Sequence, residues 1–277
     1  MDKKPRMCPH CRAFVDADAS VCEYCDGKIG PPSWKRSDPG TALGGFIQQS
    51  HFTTFIILFI NLALFLATMV LTSKIQGGSI SLFGGIDGQA LVLFGAKDTF
   101  RILARGEWWR LVTAGFLHGG ALHLMMNSWV LFDLGATVEE FFGTSRFLVI
   151  YFVSSIAGFV ASMFWTPAIS IGASAAACGL IGAMMAYGRR SGSSFIWKAY
   201  MRWAIMILAL GLLVPMIDNA AHIGGFIGGF AIGYFAGPPQ YGRPIESIWK
   251  AASVIAIFLV VVSFFFAYQL LSQILFT

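Results

Sequence analysis

Charge is what this chain has least of. Asp, Glu, Lys and Arg make up 12% of its 277 residues, where a soluble globular domain carries about 25%. With 56% hydrophobic residues, that shortfall excludes a water-soluble globule as the main body and puts most of the chain in lipid. The formal charge of +5 is modest and is set among apolar, aromatic-rich runs, so nucleic acid is not an expected partner. In a membrane protein a basic bias reflects cytoplasmic loops. Cysteine is scarce except in one place: four of the five, Cys8, Cys11, Cys22 and Cys25, fall within eighteen residues. No apolar leader precedes them, because Pro5, Pro9 and the polar residues between leave no hydrophobic stretch. Disulfides need an oxidising compartment, so two disulfides are the weaker reading. Two Cys-x2-Cys knuckles ten residues apart match the spacing that offers four thiolates to one tetrahedral Zn2+. His10 is then spare, since four thiolates fill the shell.

The chain divides into a zinc-ribbon-like module over residues 1–30, a Pro- and Gly-containing linker over 31–50, and an apolar remainder. Seven apolar spans follow, at Phe52–Leu71, Gly119–Leu134, Phe147–Trp165, Ile171–Tyr187, Trp203–Ile217, Ala220–Phe235 and Ala251–Leu270. Their lengths approach the ~20 residues that cross about 30 Å of hydrocarbon. The fourth, fifth and sixth are short enough to escape a simple hydropathy scan. With the amino terminus in the cytoplasm, the inside segments hold 14 of the 19 Lys and Arg. That orientation obeys the positive-inside rule, and the reducing compartment expected for the thiolates agrees with it. The expected architecture is an all-α membrane protein: a six-span core over 51–240 and an additional helix over 241–277.

Histidine is expensive in lipid and marks an internal, functional position. His222 lies near the outer end of the sixth span, Ser174 near the outer end of the fourth, and His123 and Asn127 in the outer half of the second. All four share one depth. A serine hydroxyl becomes a nucleophile when a base takes its proton, a role open to His222. No carboxylate is placed as a clear third member: Asp218, one turn before His222, either orients it or caps the sixth helix. His123 and Asn127, spaced i, i+4, share one helix face. They are either donors to a tetrahedral oxyanion, with the Ser174 N–H as a third, or an interhelical hydrogen-bond pair. Gly224 with Gly228, and Gly225 with Gly229, form small-residue faces that admit close helix approach. Gly172, Ala175, Gly179, Gly182 and Ala183 offer matching small surface on the fourth span.

The stretches Gly106-Glu107-Trp108-Trp109-Arg110, His118-Gly119-Gly120-Ala121-Leu122-His123-Leu124-Met125-Met126-Asn127, Gly172-Ala173-Ser174 and Ala221-His222-Ile223-Gly224 with Gly228 resemble, in this order, the motifs of the rhomboid family of intramembrane serine proteases. The resemblance runs from about Leu93 to Gly237. It implies six core helices, Ser174 as nucleophile, His222 as general base, and His123, Asn127 and the Ser174 amide as oxyanion donors. It implies Trp109 and Arg110 in a structural loop half-sunk in the outer leaflet, and His118 as a structural residue near a water-accessible cavity. Catalysis needs no cofactor in this reading, and the partners are transmembrane substrate proteins, the lipid bilayer and an unknown cytoplasmic partner of the ribbon. Ala175 stands where the family commonly has glycine, and Cys178 where it often has an aromatic residue stacked on the base. Two rival readings are a non-catalytic rhomboid-like scaffold or chaperone that binds transmembrane helices, and a transporter. Intact Ser174 and His222 argue against the first. Polar residues confined to the outer end argue against the second.

Overall fold

A computed structural model of the chain describes residues 6–8, 11, 13–16, 18–29, 52–78, 84–214, 216–240 and 243–275. The 31–50 linker and His10 lie outside them. In the small amino-terminal module, strands β1 (Arg6–Met7) and β2 (Phe14–Val15) pair antiparallel, with Met7 opposite Phe14. Cys8, Val15, Cys22 and Ile29 form its miniature core.

The rest is helical. Among the described residues seven helices reach eighteen residues or more: α1 (Phe52–Gln76), α5 (Ala121–Phe142), α6 (Thr144–Trp165), α7 (Ser174–Ser191), α8 (Ser194–Leu213), α9 (Asn219–Ala236) and α10 (Ile245–Leu275). Three short ones, α2 (Gly88–Phe94), α3 (Thr99–Arg105) and α4 (Arg110–Thr113), fill the long connection after α1. This is the expected six-helix bundle with a seventh helix. By length and composition α1, α6, α8 and α10 are able to cross a membrane. The fifth span therefore passes that criterion, contrary to expectation, and the second falls short with the fourth and sixth.

Several bounds also move. The second helix runs eight residues past Leu134, and Glu139 within that extension is buried and accepts hydrogen bonds from Thr53 and Thr144 at 2.5 and 2.7 Å. The fifth begins at Ser194 rather than Trp203, with the Ser193 hydroxyl capping the Ile196 N–H. Lys198 and Arg202 are thus exposed helical residues rather than loop residues. The seventh extends to Ile245–Leu275. Its first turn is anchored by Glu246, which accepts two 2.8 Å bonds from Arg146.

Helix association in lipid gains little from hydrophobicity and depends on close packing. The packing core is α6, α7 and α9. Helix α9 presents two glycine rows. A Cβ on Gly225 or Gly229 would stand 2.1 or 2.0 Å from the carbonyl oxygens of Ala175 or Gly179, so this row lies against the α7 backbone. A Cβ on Gly224 would stand 2.7 Å from the Ala157 carbonyl oxygen, and one on Gly228 2.9 Å from the Ala157 methyl, so the other row lies against α6. Helix α8 is different: only Tyr200 and Gly211 are buried along it. Its Trp203 meets Trp129 of α5 with ring centroids 6.0 Å apart.

Candidate active site

Gly172 takes a φ of +123°, which L side chains rarely adopt, and α7 starts two residues later. The fourth span therefore begins at Ser174 rather than Ile171. Residues before it run as a loop fixed to the short helices: Lys97 and Ser170 exchange backbone hydrogen bonds of 3.1 Å each way, and the Gly172 N–H donates to the Ala114 carbonyl at 3.0 Å. Ser174 is thus the first residue of α7, at the positive end of the helix dipole, where backbone N–H groups lack intrahelical acceptors. No side chain caps that end.

Ser174 Oγ and His222 Nε2 lie 2.8 Å apart. His222 is 8% exposed, and its Nδ1 has no hydrogen-bond partner among the described residues. Asp218 does not reach it. That carboxylate caps α9 by accepting from the Ala221 N–H at 3.0 Å and also accepts from the Ser162 hydroxyl. Burial works to raise the Asp218 pKa, but hydrogen bonds from Ser162, Ser170 and the Ala221 amide, with the Lys97 charge, hold it below the usual carboxylate value.

His123 comes to the same place from α5. A Cβ on Gly172 would stand 2.8 Å from His123 Nε2 and 3.7 Å from Ser174 Oγ, so the imidazole edge faces the serine segment. The Gly119 N–H donates to His123 Nδ1 at 3.4 Å. With Nδ1 accepting, the neutral ring carries its proton on Nε2, pointed toward Gly172. Asn127 is buried one turn along, and its Nδ2 donates to the His123 carbonyl at 2.9 Å. That bond takes one of its two N–H donors. His118 is fully buried with its ring centroid 5.1 Å from that of His123. Cys178 is buried one turn below Ser174. The arrangement brings a hydroxyl, an imidazole acceptor, an imidazole donor and a helix N-terminus to one spot, which can carry acyl-transfer chemistry.

Lys97 is the residue that pattern reasoning passed over. It is fully buried, and its Nζ donates to the Thr166 and Ala168 carbonyls at 2.7 and 2.8 Å. Burial lowers its pKa, against the pull of Asp218 and Asp98. Lys97 and Asp218 thus tie the long loop, the segment before Ser174 and the start of α9 together. Its signal in the sequence is slight: a lysine three residues after the apolar Leu93-Phe94 and directly before Asp98. Arg110 is likewise fully buried, bonded to Glu107 at 2.5 Å and to the Val92 and Ala96 carbonyls at 2.6 and 3.1 Å, and its guanidinium lies over the Trp109 ring at 4.6 Å. In this way the Trp-Arg pair locks the loop.

In the amino-terminal module the sulfurs of Cys8, Cys11, Cys22 and Cys25 all lie within 4.8 Å of one another, and no disulfide joins them among the described residues. Cys8 and Cys25 are 3.8 Å apart, Cys11 and Cys22 3.6 Å. Four thiolates about 2.3 Å from a tetrahedral ion stand about 3.8 Å from one another. The cluster fits a metal ion of that kind.

Comparison with known proteins agrees on one family. The Rhomboid domain family description matches residues 105–239. The chain is 36% identical over 214 residues to Rhomboid protease GluP of Bacillus subtilis (strain 168), covering 76% of this chain and 40% of that protein. It is 34% identical over 235 residues to RHOMBOID-like protein 2 of Arabidopsis thaliana, covering 74% of this chain and 72% of that one. Against RHOMBOID-like protein 6, mitochondrial, of the same plant, 34% identity extends over 198 residues, 65% of this chain and 64% of the relative. The chain thus spans less than two thirds of the length of several relatives it matches.

Proposed function

The chain belongs to the rhomboid family of integral membrane proteins, and on that premise we propose that it is an intramembrane serine endopeptidase that cleaves transmembrane helices with Ser174 and His222. The observation that carries the reading is the 2.8 Å contact between Ser174 Oγ and His222 Nε2 at the N-terminus of α7.

In this mechanism His222 Nε2 accepts the Ser174 hydroxyl proton as Oγ attacks the scissile carbonyl carbon. The oxyanion is met by the Ser174 N–H, His123 Nε2–H and the second N–H of Asn127. His222 then hands the proton to the leaving amine, and the acyl-enzyme is released by a water that His222 deprotonates. The free Nδ1 of His222 and the engagement of Asp218 elsewhere favour a two-member arrangement over a triad. A substrate helix approaches over the thinly packed face of α5 and α8, where lipid is the competitor.

The amino terminus is read as cytoplasmic and the site as opening to the outer side, supported by the basic residues at one end of the bundle. The four cysteines hold one structural Zn2+ in a ribbon that serves docking or regulation by a cytoplasmic partner, apart from the chemistry. The test is labelling with a fluorophosphonate probe together with cleavage of a transmembrane substrate. Wild type reacts in both; Ser174→Ala and His222→Ala fold but lose cleavage, and Ser174→Ala loses the label. Full cleavage by either folded variant overturns the reading and leaves a helix-binding scaffold.

A further inference from the structure

A cavity of about 480 Å³ lies far from Ser174, at the opposite end of α7. Arg190 on its wall is sixteen residues beyond Ser174, about 24 Å at 1.5 Å per residue. One end of the bundle holds Ser174 and this end holds the cavity, a separation close to the hydrocarbon thickness of about 30 Å. The cavity therefore sits at headgroup depth in the other leaflet. Trp249 and Lys250 at the start of α10, types that favour the membrane interface, agree with that depth.

The lining joins the end of α7, the end of α9 and the start of α10. Three arginines contribute, Arg146, Arg190 and Arg243, with Ser191, and no carboxylate lines it among the described residues. Arg146 is already neutralised by its two bonds to Glu246. Arg190 spends one N–H on the Tyr234 carbonyl at 2.8 Å and has no carboxylate partner among the described residues. The Arg243 side chain makes no hydrogen bond or ion pair among the described residues, although its backbone joins the turn into α10. Two guanidiniums without counter-charge, beside a serine hydroxyl, make a fork-shaped receptor for phosphate oxygens. Phe235, 77% exposed, and Ile245, 41% exposed, give the rim an apolar side on which acyl chains can lie.

We propose that this cavity binds the phosphodiester headgroup of an anionic phospholipid and that the ligand clamps α10 to the core. Arg190 and Arg243 meet the phosphate from opposite sides of the junction, one from the end of α7 and one from the turn that leads into α10. The proposal does not depend on the protease reading.

The experiment uses the full-length protein in neutral detergent, titrated with short-chain phosphatidylglycerol, short-chain phosphatidylcholine or inorganic phosphate, and followed by native mass spectrometry and thermal melting. Phosphatidylglycerol binds and raises the melting temperature; phosphatidylcholine does neither. Arg243→Gln weakens phosphatidylglycerol binding at least tenfold, and Arg190→Gln with Arg243→Gln abolishes it. Arg202→Gln, an exposed charge of α8 outside the lining, leaves affinity within twofold. Arg243→Gln removes no described hydrogen bond, so it decides the matter alone if the double variant does not fold. Equal binding of phosphatidylcholine, no loss in Arg243→Gln, or an equal loss in Arg202→Gln overturns the site. Displacement of the lipid by millimolar phosphate, with an arginine-dependent shift of its own, overturns the lipid identity in favour of free phosphate.

Discussion

Placing one methyl group at Gly225 separates the two helices that carry Ser174 and His222. An added Cβ would stand 2.1 Å from the Ala175 carbonyl oxygen, 2.8 Å from its carbon and 3.1 Å from its Cα. Ordinary contacts at a Cβ begin near 3.4 Å, and the obstacle is backbone in the first turn of α7, which has no rotamer to yield. The helices must part by about 1 Å at a point one helical turn beyond Ala221 and His222. Overpacking of this kind costs about 1–3 kcal/mol of stability. The effect on chemistry is larger, because a misplacement of about 1 Å costs on the order of 10²-fold in rate. Gly225→Ala is therefore expected to remain folded, to melt several degrees lower, and to lose about 10²-fold in kcat on a transmembrane substrate. Ile227→Ala is the matched control: Ile227 is on the same helix, 60% exposed, and its truncation should change kcat by no more than a few-fold. The assay is cleavage in lipid vesicles with a parallel melting curve. Wild-type activity in Gly225→Ala would show that the close approach of α7 and α9 does not hold the Ser174–His222 contact.

Asn127→Ala should lower kcat by on the order of 10²-fold with little change in KM, since a donor aimed at developing charge acts in the transition state; a change in KM alone would make Asn127 a packing residue. Full-length protein should contain about one zinc and lose it in Cys8→Ser with Cys11→Ser, while a form starting near Gly40 should keep its protease activity in the presence of chelators; metal analysis and cleavage on both forms check this, and loss of cleavage in the folded short form would make the ribbon part of the working enzyme. Asp218 has a folded-state pKa below its usual value, so its contribution is complete above about pH 4 and disappears as pH falls through the lower folded value. Asp218→Asn should melt lower than wild type at pH 7 and lose less on going from about pH 5 to pH 3; parallel melting curves across that range would contradict the hydrogen-bonded, ionised carboxylate. 

Depth along a helix is readable from sequence to the extent that apolar runs and their flanking basic residues bracket each span, although α5, α7 and α9, which carry the site, fall short of the length and composition that mark a membrane crossing. Ser174, His222, His123 and Asn127 were set at one level on that basis alone. The glycine rows were also readable, since Gly224/Gly228 and Gly225/Gly229 repeat at the spacing of a helix face. Their division of labour was not: one row serves α6 and the other α7, and only the three-dimensional neighbours distinguish them. Helix ends failed wherever a polar side chain was satisfied by tertiary partners. The second span ends at Leu134 in the sequence, yet the helix continues through Glu139, whose carboxylate accepts from Thr53 and Thr144. Lys198 and Arg202 read as loop until they are seen exposed on α8. Lys97 carried no pattern at all, because its partners are backbone carbonyls at Thr166 and Ala168, about seventy residues along the chain.

The same reasoning explains why rigidity and openness fall on different helices. Helix α9 is clasped on two sides because glycine removes the side chains that would hold its neighbours apart, and the close approach maximises packing where hydrophobicity offers little. Helix α8 has the opposite composition. Phe195, Ile205, Met206, Leu208, Leu212 and Leu213 are all exposed, and such side chains contact lipid as well as they contact protein. Replacing lipid by another apolar helix on that face changes little in free energy, whereas parting α7 from α9 forfeits backbone-to-backbone contact along three turns. A bundle built this way can admit a helix beside α5 and α8 without disturbing the 2.8 Å contact of Ser174 with His222.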